Sequence, residues 1–452
     1  MKTASSIVFL SFLLCSAFAA AQSQGVFLDR YEESTLNLDG ELDDWSMAGY
    51  DEQYLAGDDV VAGKDAWGGK KDMSLAVTMV YDDSSLIIGL EATDDKHVRT
   101  KKFEPDEDHV EFWIQLPPEA EGEPGEIKVI TYYPGRMFPT FKGGVRWLDR
   151  KKGKTKAVNG AKFYEKSDKS GWEAELIIPW KSMPGVWENL PQTKWAIVAV
   201  DCDNFHVRTR ETILATGWSG SEPKLKRPDV EEVENVAGMF KEQVAKDVLA
   251  SKRYYANVAG DGRVEVIVEA GKNYGIFGHG FKFGVGYVYI SLPVESVADI
   301  ASFELRDLDG DGRSEMIFAY RQVQEGWERK MLAVYGFRSD DAHRMFAQET
   351  ERKSGGKSAK SSVEIMEGAL DGKTLIKVSS GAVKGWTKTT FMETTEMDVK
   401  GVVLPWEEEK TKYYVCRAGA FEKEDTAAVE EYLAKPQKKK GKKKKGKGKG
   451  KK

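Results

Sequence analysis

Apolar and polar residues alternate along several short stretches in the first half of the chain. Residues 74–81 follow a period of two, and a turn at 82–85 joins them to a second stretch at 86–92. Successive side chains of a strand point to opposite faces, so this period predicts half-buried strands. Further stretches of the same kind are 110–116, 127–133, 172–178 and 195–200. We therefore expect an all-β domain over residues 26–220, built as a jelly-roll-like β-sandwich.

One helical pattern separates this domain from the next. Residues 222–230 are rich in proline and charge and are predicted to be a linker. Apolar residues then recur three or four positions apart, at Val233, Val236, Phe240, Val244 and Val248. This spacing is typical of an amphipathic helix, so linker and connecting helix together are expected to span 222–250. Strand patterns return over 251–420 and predict a second β-rich domain.

The start of the chain has the pattern of a targeting segment. Lys2 precedes an apolar run at 7–14, and small residues follow at 17–21. This order predicts a secretory signal peptide over 1–21, cleaved after Ala19 or Ala21. Cys15 offers lipidation as an alternative, although the preceding leucine is bulky for a lipidation motif. We expect a protein that is secreted or held in the periplasm or cell envelope, with no transmembrane segment.

Charge is distributed unevenly along the chain. The formal net charge is −6, yet eleven lysines follow Gln437, so residues 1–437 carry −17. An acidic body does not favour specific binding of nucleic acid and suits an environment that contains divalent cations. The Lys/Gly tail at 436–452 has nothing to bury and is predicted to be disordered. Its lysines also predict weak electrostatic attraction to polyanions.

Two cysteines remain in the predicted mature chain. Cys202 and Cys416 fall in different predicted domains. A disulfide between them is one alternative, and two buried free thiols are the other.

The most specific chemistry in the sequence lies in an acidic loop of the second domain. Residues 307–315 read Asp-Leu-Asp-Gly-Asp-Gly-Arg-Ser-Glu, with carboxylates at the first, third, fifth and ninth positions. Calcium takes about six to eight oxygen ligands, and such a loop can turn several oxygens toward one centre. The alternative is a solvated acidic turn whose glycines serve only the backbone. The expected calcium ligands are the side chains of Asp307, Asp309, Asp311 and Glu315 and the carbonyl of Arg313.

This loop has a counterpart fifty residues earlier. Residues 257–268 align with residues 307–318, and Gly, Asp, Gly, Arg, Glu and Ile recur in place. Both loops resemble the calcium motifs of FG-GAP and VCBS repeats of extracellular proteins, although Ala259 replaces the middle carboxylate of the first. Such repeats belong to propellers and related arrays. Two copies cannot close a propeller, so we expect a smaller domain with blade-like hairpins.

Six motifs follow one another in the first domain. They are Leu38-Asp-Gly-x-x-x-x-Trp45, Tyr81-Asp-Asp…Leu86, Thr93-Asp-Asp95, Asp108-His-Val-Glu-Phe112, Gly171-Trp-Glu-Ala-Glu-Leu-Ile-Ile-Pro-Trp180 and Trp218-Ser219. Together they resemble family 9 carbohydrate-binding modules and their relatives. The resemblance spans most of 26–220 and implies a β-sandwich that binds sugars, often with bound calcium. Family members that bind sugar well tend to carry a Trp just before the Asp-x-Val-Glu strand, whereas residues 103–108 contain none.

Four residues are candidates for a sugar site. Such sites pair an aromatic ring with carboxylates or amides that bond the sugar hydroxyls. Alternation places Trp113 on the same polar strand face as Glu111. Trp67 and Trp218 lie in loops beside small residues that leave their rings accessible. For each Trp the alternative is burial in a core.

The sequence therefore favours a secreted, non-catalytic protein that binds a polysaccharide or cell-surface glycan and carries structural calcium. A structural or adhesion protein of the cell envelope without sugar binding is the main alternative. A glycoside hydrolase is the less favoured one, since the acidic pairs at 94–95, 106–111 and 201–203 are common in so acidic a chain. The histidines show no zinc spacing, and no nucleophile elbow or phosphate loop occurs. No catalytic residues are predicted.

Overall fold

Strands dominate the structure, a computed structural model. It describes residues 26–435 apart from 32–35, 121, 137–140, 205, 207–208, 247, 249–250, 261, 279–285, 325, 339–340, 394–397 and 418. The predicted signal peptide and the Lys/Gly tail lie outside the described residues. Strands hold 51% of the residues and helices 10%, which confirms the predicted all-β class.

The chain divides into two compact units. Unit 1 comprises the described residues of Met1–Val186 and Gln192–Asp229, and unit 2 comprises the described residues of Trp187–Pro191 and Val230–Lys452. The elements of unit 1, including β16 at its boundary with unit 2, are β1 (Phe27–Arg30), α1 (Asp43–Ala48), β2 (Glu52–Leu55), β3 (Val60–Ala62), β4 (Met73–Tyr81), β5 (Ser85–Asp94), β6 (His109–Gln115), β7 (Ile127–Tyr133), β8 (Gly144–Asp149), β9 (Lys154–Ala157), β10 (Lys162–Ser167), β11 (Gly171–Pro179), β12 (Lys194–Asp201), β13 (Thr212–Ala215), β14 (Trp218–Ser219), β15 (Glu222–Pro223) and β16 (Asp229–Val230).

Two large sheets of unit 1 form a sandwich. Sheet 1 has the order β10-β11-β5-β4-β1-β16, with β2 also paired to β4. Sheet 2 has the order β3-β13-β12-β6-β7-β8-β9. Tyr132 of sheet 2 packs against Trp172 of sheet 1, with ring centroids 5.6 Å apart, and its hydroxyl donates to Glu165 of sheet 1 at 2.6 Å. The strands expected at 74–81, 86–92, 110–116 and 127–133 correspond to β4–β7.

Residues 222–230 differ from the predicted linker. Their backbone completes strands of unit 1: Lys226 exchanges hydrogen bonds of 2.9 and 2.6 Å with Trp195, and Asp229 donates to Val26 at 2.8 Å. β15 and β16 also lie in this segment. Proline and charge content predicted a linker, but an edge strand tolerates both, because only one side of its backbone needs a partner.

Unit 2 continues with one helix, a long series of strands and a short final helix. Its elements are α2 (Glu231–Val244), β17 (Lys252–Ala256), β18 (Glu265–Ala270), β19 (Asn273–Phe277), β20 (Val288–Ser291), β21 (Ile300–Arg306), β22 (Glu315–Gln324), β23 (Trp327–Arg338), β24 (Asp341–Ser354), β25 (Lys357–Leu370), β26 (Lys373–Lys384), β27 (Thr411–Arg417), β28 (Ala420–Glu424) and α3 (Thr426–Ala434).

Two antiparallel sheets make up unit 2, each in sequential strand order. β17–β20 form a four-stranded sheet and β21–β28 an eight-stranded one. Aromatic residues join them: the Tyr274 ring of the smaller sheet lies 4.8 Å from that of Phe318 and 4.9 Å from that of Phe303. Sequential order means that each strand pairs mainly with its neighbour in the chain, so the domain consists of hairpins.

The connecting helix uses the apolar face that its sequence pattern predicts. Val233, Val236 and Phe240 are buried, and α2 packs on β19. A Cβ atom at Gly275 of β19 would lie 2.8 Å from the Phe240 ring, so this position admits only glycine without displacement. The helix ends at Val244 rather than near 249. Two further α-helices, α1 and α3, occur among the described residues.

Two further predictions concern the cysteines and membrane-spanning helices. Cys202 and Cys416 are both buried free thiols in this structure, which corresponds to the second of the two alternatives. Among the described residues, no helix has the length and apolar character needed to cross a membrane.

Candidate functional site

A cavity of about 1010 Å³ lies on the face of sheet 1 that points away from sheet 2. We call it the groove. Its floor comes from β11, β5, β4 and β2, and its walls come from α1 and from the turn between β10 and β11. The lining residues are Glu41, Leu42, Asp43, Trp45, Tyr50, Glu52, Ala76, Thr78, Gly89, Glu91, Ala92, Thr93, Lys166, Ser167, Asp168, Ser170, Gly171, Trp172 and Glu173.

Strand register places side chains from five strands in one row across this face. Lys166 pairs with Glu173, Glu173 with Glu91, Glu91 with Ala76, and Ala76 with Tyr54. Neighbouring strands lie about 4.8 Å apart, so the row spans roughly 19 Å. The row therefore runs from an amine, past two carboxylates, to an aromatic ring.

The segment around α1 covers the part of the sheet beside the groove and leaves the groove itself uncovered. Residues around α1 pack on an apolar patch of the same face that includes Val80, Ile87 and Ile177. The row that contains Glu91 and Glu173 is polar and lies beyond this covering. The apolar side chains of these strands thus pack against the α1 segment, and the polar side chains beside them form the floor of the groove.

Trp45 fixes the wall of the groove. Its ring lies on Gly89, where a Cβ atom would come within 3.1 Å of the ring. Its Nε1 donates to Glu175 at 2.8 Å, and the Gly40 amide donates to the same carboxylate at 2.6 Å. Tyr50 meets the Trp45 ring edge-on at a centroid distance of 6.3 Å. A glycine in the strand and a buried carboxylate therefore hold α1 against the sheet.

Charge and aromatic character define what the groove can bind. Six carboxylates and one amine line it, and the amine of Lys166 pairs with Glu41. Tyr54 stands beside the floor at 46% exposure, with the Lys70 amine 5.0 Å from its ring centroid. Carboxylates accept hydrogen bonds from hydroxyl groups, and an exposed ring offers a flat apolar surface. This combination suits a polyhydroxylated ligand.

Glu111, a predicted ligand-binding residue, lies on sheet 2 and has partners on both oxygens. Its Oε1 lies 2.9 Å from His109 Nε2 and 3.2 Å from an Arg210 nitrogen, and its Oε2 accepts from Trp113 at 2.7 Å. Burial acts to raise the pKa of Glu111, but the hydrogen bond and charge of His109, with Arg210, hold that pKa at about 2. This carboxylate stabilises the surface of sheet 2.

Trp113 occupies the predicted polar face of its strand, but it is only 8% exposed. The Arg150 guanidinium lies 4.3 Å from its ring centroid. Alternation within β6 does not reveal this cover, because Arg150 follows a distant strand. Trp113 and Trp218 belong to the same apolar cluster, so the structure brings these two predicted residues to one face of sheet 2.

Trp67 and Trp218 are both half-buried. Trp218 donates from Nε1 to the carbonyl of Gly220 at 3.0 Å. Trp67 donates to the carbonyl of Met73 at 2.9 Å, at the start of β4. None of the four predicted sugar-site residues belongs to the groove lining.

Sequence reasoning missed Glu91 and Glu173, which line the groove, and Tyr54, which lies beside its floor. For Glu91 and Glu173 the signal is a polar position between apolar ones, as with Glu173 between Trp172 and Ala174, and it shows that these side chains face outward. Tyr54 follows Gln53 and gives no such signal. Only the pairing of strands that are distant in sequence shows that the three share a row.

The acidic loop at 307–315 satisfies many of its own polar groups. Asp307 accepts from the Gly310 and Gly312 amides at 2.7 and 3.0 Å, and Asp311 pairs with the Arg313 side chain. Oxygens of Asp307, Asp309 and Asp311 lie within 4.8 Å of one another. These three are the predicted ligands that the structure brings together as a group.

Glu315, the fourth predicted carboxylate ligand, is buried and bonds the backbone. Its Oε2 accepts from the Leu308 amide at 2.6 Å. Burial, together with the charges of the loop aspartates, raises the pKa of Glu315 to about 7. The earlier loop has the same bond, since Glu265 accepts from the Val258 amide at 2.6 Å. The internal repeat in the sequence is therefore a repeat of loop geometry.

Comparisons with known proteins give likenesses among solved structures. No protein-family model and no curated protein matches this chain. Among solved structures, a carbohydrate binding module family 9 from Caldicellulosiruptor kristjanssonii in complex with cellotriose shares 10% identity, with a TM-score of 0.31, over 46% of this chain and 93% of that one. A module of the same description in complex with glucose shares 11% identity, with a TM-score of 0.28, over 45% of this chain and 95% of that one. Scores this low establish neither a common fold nor a common ligand.

Proposed function

We propose that unit 1 is a non-catalytic carbohydrate-binding module whose ligand lies in the groove. The observation that carries this proposal is the row that ends on Tyr54 and contains Glu91 and Glu173. Sugar rings stack on an aromatic side chain, and their hydroxyls donate to carboxylates. A cavity of about 1010 Å³ lies at the upper end of the size range of ligand sites.

The groove also indicates which glycans to expect. Six carboxylates make it strongly acidic, so uronic-acid or sulfated polysaccharides are disfavoured by like-charge repulsion. Neutral glycans fit without this cost. We therefore expect binding of a neutral polysaccharide or oligosaccharide, weakened little by salt because no ion pair with the ligand is needed.

A glycan array probed with the full chain tests the proposal. Hits should lose affinity in the triple variant Tyr54→Ala, Glu91→Gln, Glu173→Gln. The matched control is Tyr289→Ala in unit 2, since Tyr289 is 48% exposed and belongs neither to the groove lining nor to the row that contains Glu91 and Glu173. The alternative of a structural or adhesion protein predicts no hit, or hits that the triple variant binds equally well.

Hydrolysis is the second candidate, because Glu91 and Glu173 are directly opposed across antiparallel strands. Cβ atoms of such pairs lie about 4.5–5.5 Å apart, near the carboxyl separation that retaining glycosidases use. A glycosidase also needs an acid kept protonated by burial, whereas Glu91 is exposed. Binding is therefore the better supported function. Release of reducing ends from an array hit, lost in Glu91→Gln, would favour hydrolysis instead.

Two further parts of the proposal rest on sequence patterns. The pattern at 1–21 supports export from the cytoplasm, and N-terminal sequencing of the mature protein tests it. The three aspartates at 307–311 support a calcium ion that links the start of β22 to the preceding strand. This calcium site is proposed as a structural one, separate from the glycan.

A further inference from the structure

One face of the eight-stranded sheet in unit 2 concentrates lysine side chains. Strand register defines two adjacent rows of residues across β22 to β26, and residues two apart in a strand share a face, so both rows lie on one side of the sheet. Five of the nine residues are cationic. One row is Arg321, Lys330, Glu351 and Lys360, and the other is Val323, Glu328, Lys353, Ser358 and Lys384. We call these two rows the lysine face.

The cationic side chains of this face are open to solvent. The side chains of Lys330 and Lys360 are 51% and 55% exposed. Arg321 and Lys384 are also exposed, and Lys353 is half-buried. Their charged ends are therefore accessible to a partner from outside the protein.

A buried carboxylate holds three of the lysines together. Glu351 lies 2.9 Å from the Lys330 amine, 3.0 Å from the Lys360 amine and 3.8 Å from the Lys353 amine. Burial acts to raise the pKa of Glu351, but hydrogen bonds from Lys330 and Lys360 hold that pKa below its usual value. The carboxylate is therefore ionised and keeps three ammonium groups around one point.

The carboxylates of this surface do not balance its cations. Glu328 and Glu351 carry the negative charges of the two rows, and Asp299 pairs with Arg321 at 2.6 Å. Five cations against three carboxylates leave a net charge of +2, in a chain whose residues 1–437 carry −17. Ammonium groups held close together repel one another, so an anion that reaches them is attracted.

The spacing of the lysines suits an extended polyanion. Lys330 and Lys360 lie two strands apart in one row, and Lys353 and Lys384 lie two strands apart in the other. Two strand spacings amount to about 10 Å, and the whole face spans roughly 19 Å from β22 to β26. The hydroxyl of Ser358, between Lys353 and Lys384, adds a hydrogen-bond donor. The face therefore offers repeated cationic groups to a chain that carries repeated anionic ones.

The composition of the face selects the class of polyanion. Neither of these two described rows contains an aromatic ring, so the bases of a single-stranded nucleic acid have nothing to stack on. Val323 is the single apolar side chain in the rows, which gives the face no apolar surface to insert into a bilayer. Sulfate and carboxylate groups need only ammonium and hydroxyl donors. A sulfated or uronic-acid polysaccharide fits this composition best.

We propose that the lysine face binds an anionic polysaccharide through Lys330, Lys353, Lys360 and Lys384. Their amines donate to its sulfate or carboxylate groups. The face belongs to unit 2, whereas the acidic groove proposed for neutral glycans belongs to unit 1. The two proposals therefore concern different residues and different ligands, and either can fail without the other.

Acetylation of lysines in the full chain, read residue by residue with mass spectrometry, tests the site. Dextran sulfate and polygalacturonate are the probes, and dextran is the uncharged control. Both probes are expected to slow acetylation of the four lysines, and dextran is not. Lys252, on β17 of the other sheet, and Lys373, at the far end of β26 from Lys384, are exposed reference residues whose rates should not change. The Lys/Gly tail is present throughout and does not affect this comparison between residues.

Affinity for dextran sulfate gives a second measurement. The double variant Lys330→Gln, Lys360→Gln should bind roughly 25-fold more weakly, at about fivefold for each lysine lost near an anionic surface. The matched control Lys252→Gln, Lys373→Gln removes the same charge and should keep the affinity. The acetylation experiment needs no variant, so it decides the question even if loss of the ion pairs to Glu351 destabilises the double variant.

Three results would overturn the proposal. The probes leave the four lysines unprotected, or they protect Lys252 and Lys373 to the same degree, or the folded double variant binds dextran sulfate as tightly as its matched control. A single-stranded oligonucleotide or an anionic lipid vesicle that protects the four lysines more strongly than both polysaccharides would also overturn it, and would identify that class of partner instead.

Discussion

Replacing Tyr54 with alanine removes the exposed aromatic ring at the rim of the groove. The side chain is 46% exposed, so nearly half of its surface is available to a ligand. An aromatic side chain presents about 200 Å², which leaves about 90 Å² to be covered. At about 25 cal/mol per Å², covering this area contributes about 2 kcal/mol. The expected loss in Tyr54→Ala is therefore about thirtyfold in Kd.

Isothermal titration with an array-selected oligosaccharide measures this loss. Tyr54→Phe is the matched control, because it keeps the ring and removes only the hydroxyl, and it should retain most of the affinity. Thermal denaturation of both variants should resemble that of the unaltered chain, since half-exposed rim residues contribute little to the core. An affinity in Tyr54→Ala equal to that of the unaltered chain would refute stacking on this ring.

Three further predictions concern the support of the groove, the face of sheet 2 and the loop of unit 2. Gly89→Val pushes the Trp45 ring off the sheet, so we expect the free energy of unfolding to fall by roughly 1–3 kcal/mol and glycan binding to weaken; an unchanged Tm would contradict this packing. Glu111→Ala leaves buried partners unpaired, so we expect the free energy of unfolding measured in denaturant to fall by about 3 kcal/mol. The glycan affinity of the folded protein should not change. A loss of glycan binding without a loss of stability would indicate that the glycan site lies on sheet 2. Calcium should raise the Tm of unit 2, and Asp309→Asn should abolish this rise. If calcium leaves the Tm of unit 2 unchanged, residues 307–315 form a solvated turn that binds no calcium.

The sequence predicted those features of the fold that depend on local pattern. Alternation gives the positions of β4 to β7, but it predicts strands buried on one face, whereas both faces of β4 and β6 are buried in the structure. The helical spacing of Val233, Val236 and Phe240 gives the buried face of α2. Neither prediction depends on which segments that are distant in sequence come into contact.

The site could not be predicted in this way, because its parts meet through register and packing. Tyr54, Glu91 and Glu173 lie on three strands, and only the pairing of β2, β4, β5 and β11 aligns them. Trp113 faces the predicted side of its strand, yet Arg150 covers it.

A crystal structure of the chain with an array-selected oligosaccharide tests the central claim most directly. The account predicts ligand density in the groove, with a sugar ring against Tyr54 and hydroxyls within hydrogen-bond distance of Glu91 and Glu173. Density on the face of sheet 2, beside Trp113 and Trp218, would contradict it.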